Sequence, residues 1–358
     1  MKLGARILKT GTAIVLALFL AELLKLPSPV FAGIAAIFAV QPSIYRSYLT
    51  IVEQIQGNII GALCAILFYQ LFGNHFVIIG LAAIIAIIIH LRLKIENTIS
   101  LSLVTLVAIM VAPEDDFYSF AFIRFITILL GILSAFLINL ALLPPKYETK
   151  LFKSIMEITG EVIKWIRISI YQASDHVELK NDIERIKERL IRLDQIFLFY
   201  KEERNFLRKH RYAKMRKVVL YRHMIATVRA SLNVLKKLHQ YENDLSLLPG
   251  HFTEKLKGCI EQLTISHEQI LIRYTGKAKM KHEEKIGELD SMKQNLLRLH
   301  LQYLKEEGDE QAAYHILQMM AAVMEYNEHL LHLEKLINSL QSFHKEEGHV
   351  RLAEPDPQ

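Results

Sequence analysis

The residues of this chain that could do chemistry are polar groups set into stretches of hydrocarbon. Arg124 interrupts one such stretch, and Glu53, Gln54 and Asn58 interrupt another. An ionised side chain at mid-bilayer costs about 2.5–3.5 kcal/mol on insertion scales, so residues of this kind face other protein or water. At the helical repeat, Glu53, Gln54, Gly57, Asn58, Gly61, Cys64 and Ala65 fall on one face, with Ile51, Val52, Ile55, Ile59, Ile60 and Leu63 opposite. Arg124, Thr127, Gly131, Ser134, Ala135 and Asn139 share a second face. The chemistry on offer is a fixed cation for an anion (Arg124), a carboxylate able to carry a proton (Glu53), and amides that line a route (Gln54, Asn58, Asn139). Gly57 and Gly61 form a GxxxG, and Gly131 is a third point where a neighbouring backbone can come close. Two readings stand for each face. One is a packing seam, with Glu53 snorkelling to water and Arg124 anchoring at an interface near Glu114-Asp115-Asp116. The other is the wall of a substrate pathway.

Faces of this kind need helices that cross lipid. A span takes about 20 mostly apolar residues. Six stretches qualify in outline: 4–24, 28–42, 51–72, 75–91, 98–112 and 118–143, the second and fifth being short. Breaks fall at Pro27 and Pro29, Pro42, Gly73-Asn74, the 92–97 segment and Pro113. Alternate connections carry Lys2, Arg6, Lys9, Arg46, Arg92, Lys94, Lys146, Lys150 and Lys153; the others carry Lys25 alone. That asymmetry predicts six spans with both termini in the cytosol. A cleaved leader is the rival for the first stretch, with Val30-Phe31-Ala32 as its processing site. The apolar run that continues from Gly33 argues against it.

Composition divides the chain near Pro144-Pro145. Of its 358 residues, the first 145 hold eight of the 43 Lys/Arg and six of the 37 Asp/Glu, leaving 35 and 31 for the rest. Three parts are expected: a transmembrane domain at 1–145, a cytosolic helical bundle at 146–346 and a flexible tail at 347–358. The fold class is all-α, a six-span domain followed by an antiparallel bundle. In the polar half, apolar residues step by three and four, most extensively Ile316, Met319, Val323, Tyr326, Leu330, Leu333, Ile337 and Leu340, the period of a coiled-coil-like seam. Breaks near residues 174, 208–212, 248–250, 276 and 308 predict five or six helices. The charge balance excludes a nucleic-acid partner. Cys64 and Cys259 offer no disulfide framework and no metal spacing. His329 and His332, beside Glu325 and Glu328, are the nearest approach to a ligand set and read as a solvated face. No nucleophile elbow, phosphate-binding loop or HExxH occurs, so no catalytic residue, cofactor or metal is expected.

Three stretches carry a resemblance: PVFAGIAAIFAVQP at 29–42, EQIQGNIIGAL at 53–63 and RFITILLGILSAFLINLALLPP at 124–145. Together they resemble the aromatic acid exporter family, kin of the bacterial fusaric-acid-resistance transporters. Members typically have a basic residue early in the second stretch and Gly-Thr-x-x-Gly after it; here Glu53 and Gln54 stand there, and Asn58 replaces the Thr. The polar half resembles the cytosolic domain of Gram-positive members. The resemblance implies a multi-pass transporter of the bacterial plasma membrane that exports small aromatic or other organic anions. Arg124 would attract the carboxylate, and Glu53 would be a proton site. The lipid bilayer and the anion are its expected partners. A membrane half this small for a transporter with its own repeat implies a homo-oligomer. The competing expectation is a non-transporting, membrane-anchored helical scaffold or sensor.

Overall fold

The structure, a computed structural model, describes residues 4–41, 44–111, 117–141, 147–171, 176–202, 211–246, 250–276, 282–306 and 310–343. Among these residues it is helical throughout, without strands. The chain divides into two compact units, Met1–Pro145 and Lys146–Gln358.

The first unit holds α1 (Gly4–Leu23), α2 (Val30–Ala39), α3 (Ile44–Phe72), α4 (Phe76–Leu93), α5 (Ile99–Met110) and α6 (Phe117–Ala141). Turn chemistry separates them. Gly73 takes φ +78°, a left-handed value that suits a residue without Cβ, and ends α3. Lys94 ends α4 at φ 58°, its N–H donating to the carbonyls of His90 and Leu91. A 3₁₀ turn at Glu96–Thr98 leads into α5. Within α3, α4 and α6, the segments Arg46–Phe72, Phe76–Leu93 and Tyr118–Ala141 are long and apolar enough to cross a membrane, with mean hydropathies of 1.6, 2.6 and 2.4. α2 and α5 are shorter, with 10 and 12 residues, about 15 and 18 Å of helix. α3 begins seven residues before the predicted stretch because 44–50 hold no helix breaker.

Small residues set the packing here. Ala13, Ala17 and Ala21 of α1 meet Ala32, Ala35, Ala36 and Ala39 of α2, with Ile128, Ile132 and Ala135 of α6. A second cluster joins α3, α4 and α5 through Cys64, Ala65, Ala82, Ala86, Leu106 and Ile109. Large apolar side chains are turned outward instead: Phe76, Val77, Leu81, Ile84, Ile88 and Leu91 on α4 are all exposed. Water does not tolerate an apolar sheath of that extent; lipid does.

The second unit holds α7 (Tyr147–Ile170), α8 (His176–Glu202), α9 (Arg211–Gln240), α10 (Glu242–Ser246), α11 (Gly250–Tyr274), α12 (His282–Glu306) and α13 (Glu310–Phe343). One apolar core holds it, with α9 packed against α7 and α13. Every residue of the seam predicted on α13 is buried. Six of the helices are long; the five-residue α10 follows a break at Tyr241 that no Gly or Pro announces. The tail expected at 347–358 lies outside the described residues.

Candidate functional site

The site is built on α6. Arg124 is only 2% exposed. Its Nη2 donates to the Val104 carbonyl of α5 at 3.1 Å. Its guanidinium carbon lies 3.2 Å from the ring centroid of Phe31 on α2, a stack favoured by the ring quadrupole. Nε and Nη1 are buried and have no hydrogen-bond partner among the described residues. A buried polar group left unpaired costs about 1–3 kcal/mol, more when charged. An oxygen that reached those donors would recover that cost.

The rest of the α6 face is satisfied. Thr127 and Ser134 donate back to Ile123 and Leu130. Asn139 accepts from Lys9 Nζ of α1 at 3.0 Å. Arg124 and Asn139 share a face but stand fifteen residues apart, about 22 Å along the axis. At Gly131 an added Cβ would collide with the Ala32 backbone. The α2–α6 approach therefore depends on glycine there, and Ala32 adjoins the Phe31 that covers Arg124.

On α3, Asn58 is buried and its Oδ1 accepts from Thr105 Oγ1 of α5 at 2.7 Å. Gln54 is 3% exposed and its Oε1 is unpartnered. A Cβ at Gly57 would lie 2.6 Å from Thr98 Oγ1, and one at Gly61 2.5 Å from the Ser102 carbonyl. Glu53 is half-buried and makes no ion pair among the described residues. The α3 residues thus gather against α5, whereas Glu53 is not brought to Arg124. α5 links the two groups, because neighbouring Val104 and Thr105 hold Arg124 and Asn58.

His90 stands at the end of a predicted span, where the sequence allows either a proton carrier or an interface marker. In space it is 1% exposed and lies against Gly57. Its Nδ1 donates to the Ala86 carbonyl at 2.7 Å, and Nε2 is left unpartnered. With Gln54 Oε1, Ser47 Oγ and Ser102 Oγ, it makes four unpaired buried polar atoms on α3, α4 and α5. Phe31 gave no sequence signal either. In the second unit, His329 and His332 stand beside His223 of α9, ring centroids 5.1 and 4.4 Å away, and Glu328 pairs with Lys293.

Comparison with known proteins places the chain in a family. The chain is 49% identical over 354 residues to the UPF0421 protein YgaE of Bacillus subtilis (strain 168), covering 99% of this chain and 100% of that one. The chain belongs to the UPF0421 family. A second UPF0421 protein, from Oceanobacillus iheyensis, is 32% identical over 55% of this chain and 56% of its own. One from Bacillus cereus is 24% identical over 80% of this chain and 81% of its own. Residues 1–142 of this UPF0421 chain match the family model described as aromatic acid exporter family member 1. The likeness read from three stretches is therefore shown for the apolar half. Family and apolar helices together make this UPF0421 protein membrane-embedded.

Proposed function

We propose that the protein is a multi-pass exporter of small organic anions, aromatic carboxylates among them, in the bacterial plasma membrane. In this reading the first unit crosses six times, both termini are cytosolic, and the second unit is a cytosolic bundle. The observation that carries the proposal is the Arg124 guanidinium: buried, stacked on Phe31, with donors on two nitrogens unused. A carboxylate oxygen would satisfy those donors by charge-assisted hydrogen bonds, and an aromatic ring would find Phe31 beside them. Asn58, Gln54 and Asn139 line the route, and Glu53 is a proton site at the α3 entrance. Gly57, Gly61 and Gly131 let the helices close on one another. Four unpaired polar atoms on α3, α4 and α5 support a wetted path rather than a dry seam. The substrate leaves chemically unchanged, and a second copy of the chain completes the pathway.

The test is efflux of radiolabelled aromatic carboxylates from proteoliposomes. Wild-type protein is expected to release them down an imposed proton gradient. Arg124→Ala abolishes release, and Glu53→Gln removes its dependence on the gradient. Release that survives Arg124→Ala would overturn the assignment. A scaffold or sensor shows no release from the wild type.

A further inference from the structure

The fold also assembles a side-chain cluster in the second unit that the export reading leaves unused. His176 opens α8, His239 lies at the end of α9, and Glu242 opens α10. Far apart in sequence in the first case, they converge so that one ligand atom of each lies within 4.8 Å of the others. His176 Nε2 is 3.3 Å from Glu242 Oε2. The His176 and His239 rings meet edge to face, with centroids 4.3 Å apart. Apart from that His176–Glu242 approach, Glu242 Oε2 and His239 Nδ1 are buried atoms that make no hydrogen bond among the described residues. Buried polar atoms nearly always have a partner, so two of them converging on a third ligand atom point to something held in common.

We propose that His176, His239 and Glu242 bind a divalent transition-metal ion of the zinc type. Two imidazoles and a carboxylate are a donor set for borderline cations, which leaves a fourth position for water. Calcium and magnesium favour oxygen shells instead. Two donors at about 2.0–2.1 Å from one tetrahedral ion stand about 3.3–3.4 Å apart, the separation already present between His176 and Glu242. The spacing of His239 and Glu242 is fixed by the break at Tyr241. There Tyr241 N–H donates to the Lys237 carbonyl, and Leu245 N–H donates to the Tyr241 carbonyl, each at 3.0 Å. The charge of Lys180 is felt at His239 and repels a cation there, which limits the affinity. Once bound, the ion would tie the start of α8 to the α9–α10 junction.

The experiment uses the full chain, purified in detergent without a polyhistidine tag and stripped with chelator. Zn²⁺ is titrated calorimetrically, and Co²⁺ is followed by its visible absorption. One ion per chain, with a tetrahedral-type Co²⁺ spectrum and a Zn²⁺-dependent rise in unfolding temperature, is expected. Glu242→Gln keeps the shape of the site, and with helicity unchanged it weakens binding at least about tenfold; His239→Ala does the same. His223→Gln with His332→Gln leaves binding intact, because His223 Nε2 is already engaged with the His329 carbonyl. No stoichiometric Zn²⁺ binding by the wild type would overturn the proposal. So would affinity unchanged in Glu242→Gln and His239→Ala, or affinity lost only in the His223/His332 variant.

Discussion

Arg124 gives one nitrogen to the Val104 carbonyl and its plane to Phe31, while Nε and Nη1 find no partner among the described residues. That imbalance separates it from Asn139 and Asn58, whose side-chain oxygens accept hydrogen bonds from Lys9 and Thr105. The periodicity of the sequence was enough to put Arg124 on an inward face. It did not reveal Phe31, nor that His90 meets Gly57, because each meets its partner across a helix pair whose register no local pattern encodes. A buried histidine in the second unit yields a prediction at this scale. His267 is fully buried, its Nδ1 2.9 Å from Tyr326 Oη, and burial pushes it down from 6.5 to about 3. Above pH 6.5 both folded and unfolded forms hold it neutral, and it costs nothing. Between 6.5 and about 3 only the unfolded chain takes up the proton, so stability falls by about 1.4 kcal/mol per pH unit. His267→Asn, which can retain the Tyr326 bond, is expected to flatten the acid limb of the unfolding midpoint by one proton. Equal slopes for wild type and variant would contradict this.

Helices α2 and α6 approach as closely as they do because Gly131 faces the Ala32 backbone. A main-chain neighbour cannot rotate aside, so Gly131→Ala must separate the two helices. Overpacking of this kind costs about 1–3 kcal/mol, and here it also shifts Phe31 relative to Arg124. Thermal unfolding in detergent should show a lower midpoint, with efflux reduced alongside it. Gly80 of α4 has open space around it, so Gly80→Ala serves as the matched control with no loss. At this scale the heptad-like seam of α13 was legible in full, since a 3.5-residue period admits one buried stripe. The break between α9 and α10 was not. Tyr241 is an ordinary helix former, and the chain turns there to bury it and to bring Glu242 toward His239.

Across the whole molecule, the unit Met1–Pro145 turns apolar side chains outward and the unit Lys146–Gln358 turns them inward around one core. In the proposed reading, lipid around the first unit and water around the second account for the inversion. If the first unit crosses six times, cysteines at Asp115→Cys and Lys150→Cys label from opposite sides of intact cells and inverted vesicles, in a background with Cys64 and Cys259 replaced. Labelling from the same side would remove the even-numbered threading, and the export route with it. The sequence by itself determined the all-helical class, the apolar and charged halves, and the buried seam of α13, because each is a matter of local period and transfer energy. Only the tertiary structure decided that α5 joins Arg124 to Asn58, that His90 lies against Gly57, and that His176 meets His239 and Glu242. Such meetings depend on how far each helix slides and rotates against its neighbours, and those two quantities are set by the summed packing of the entire unit.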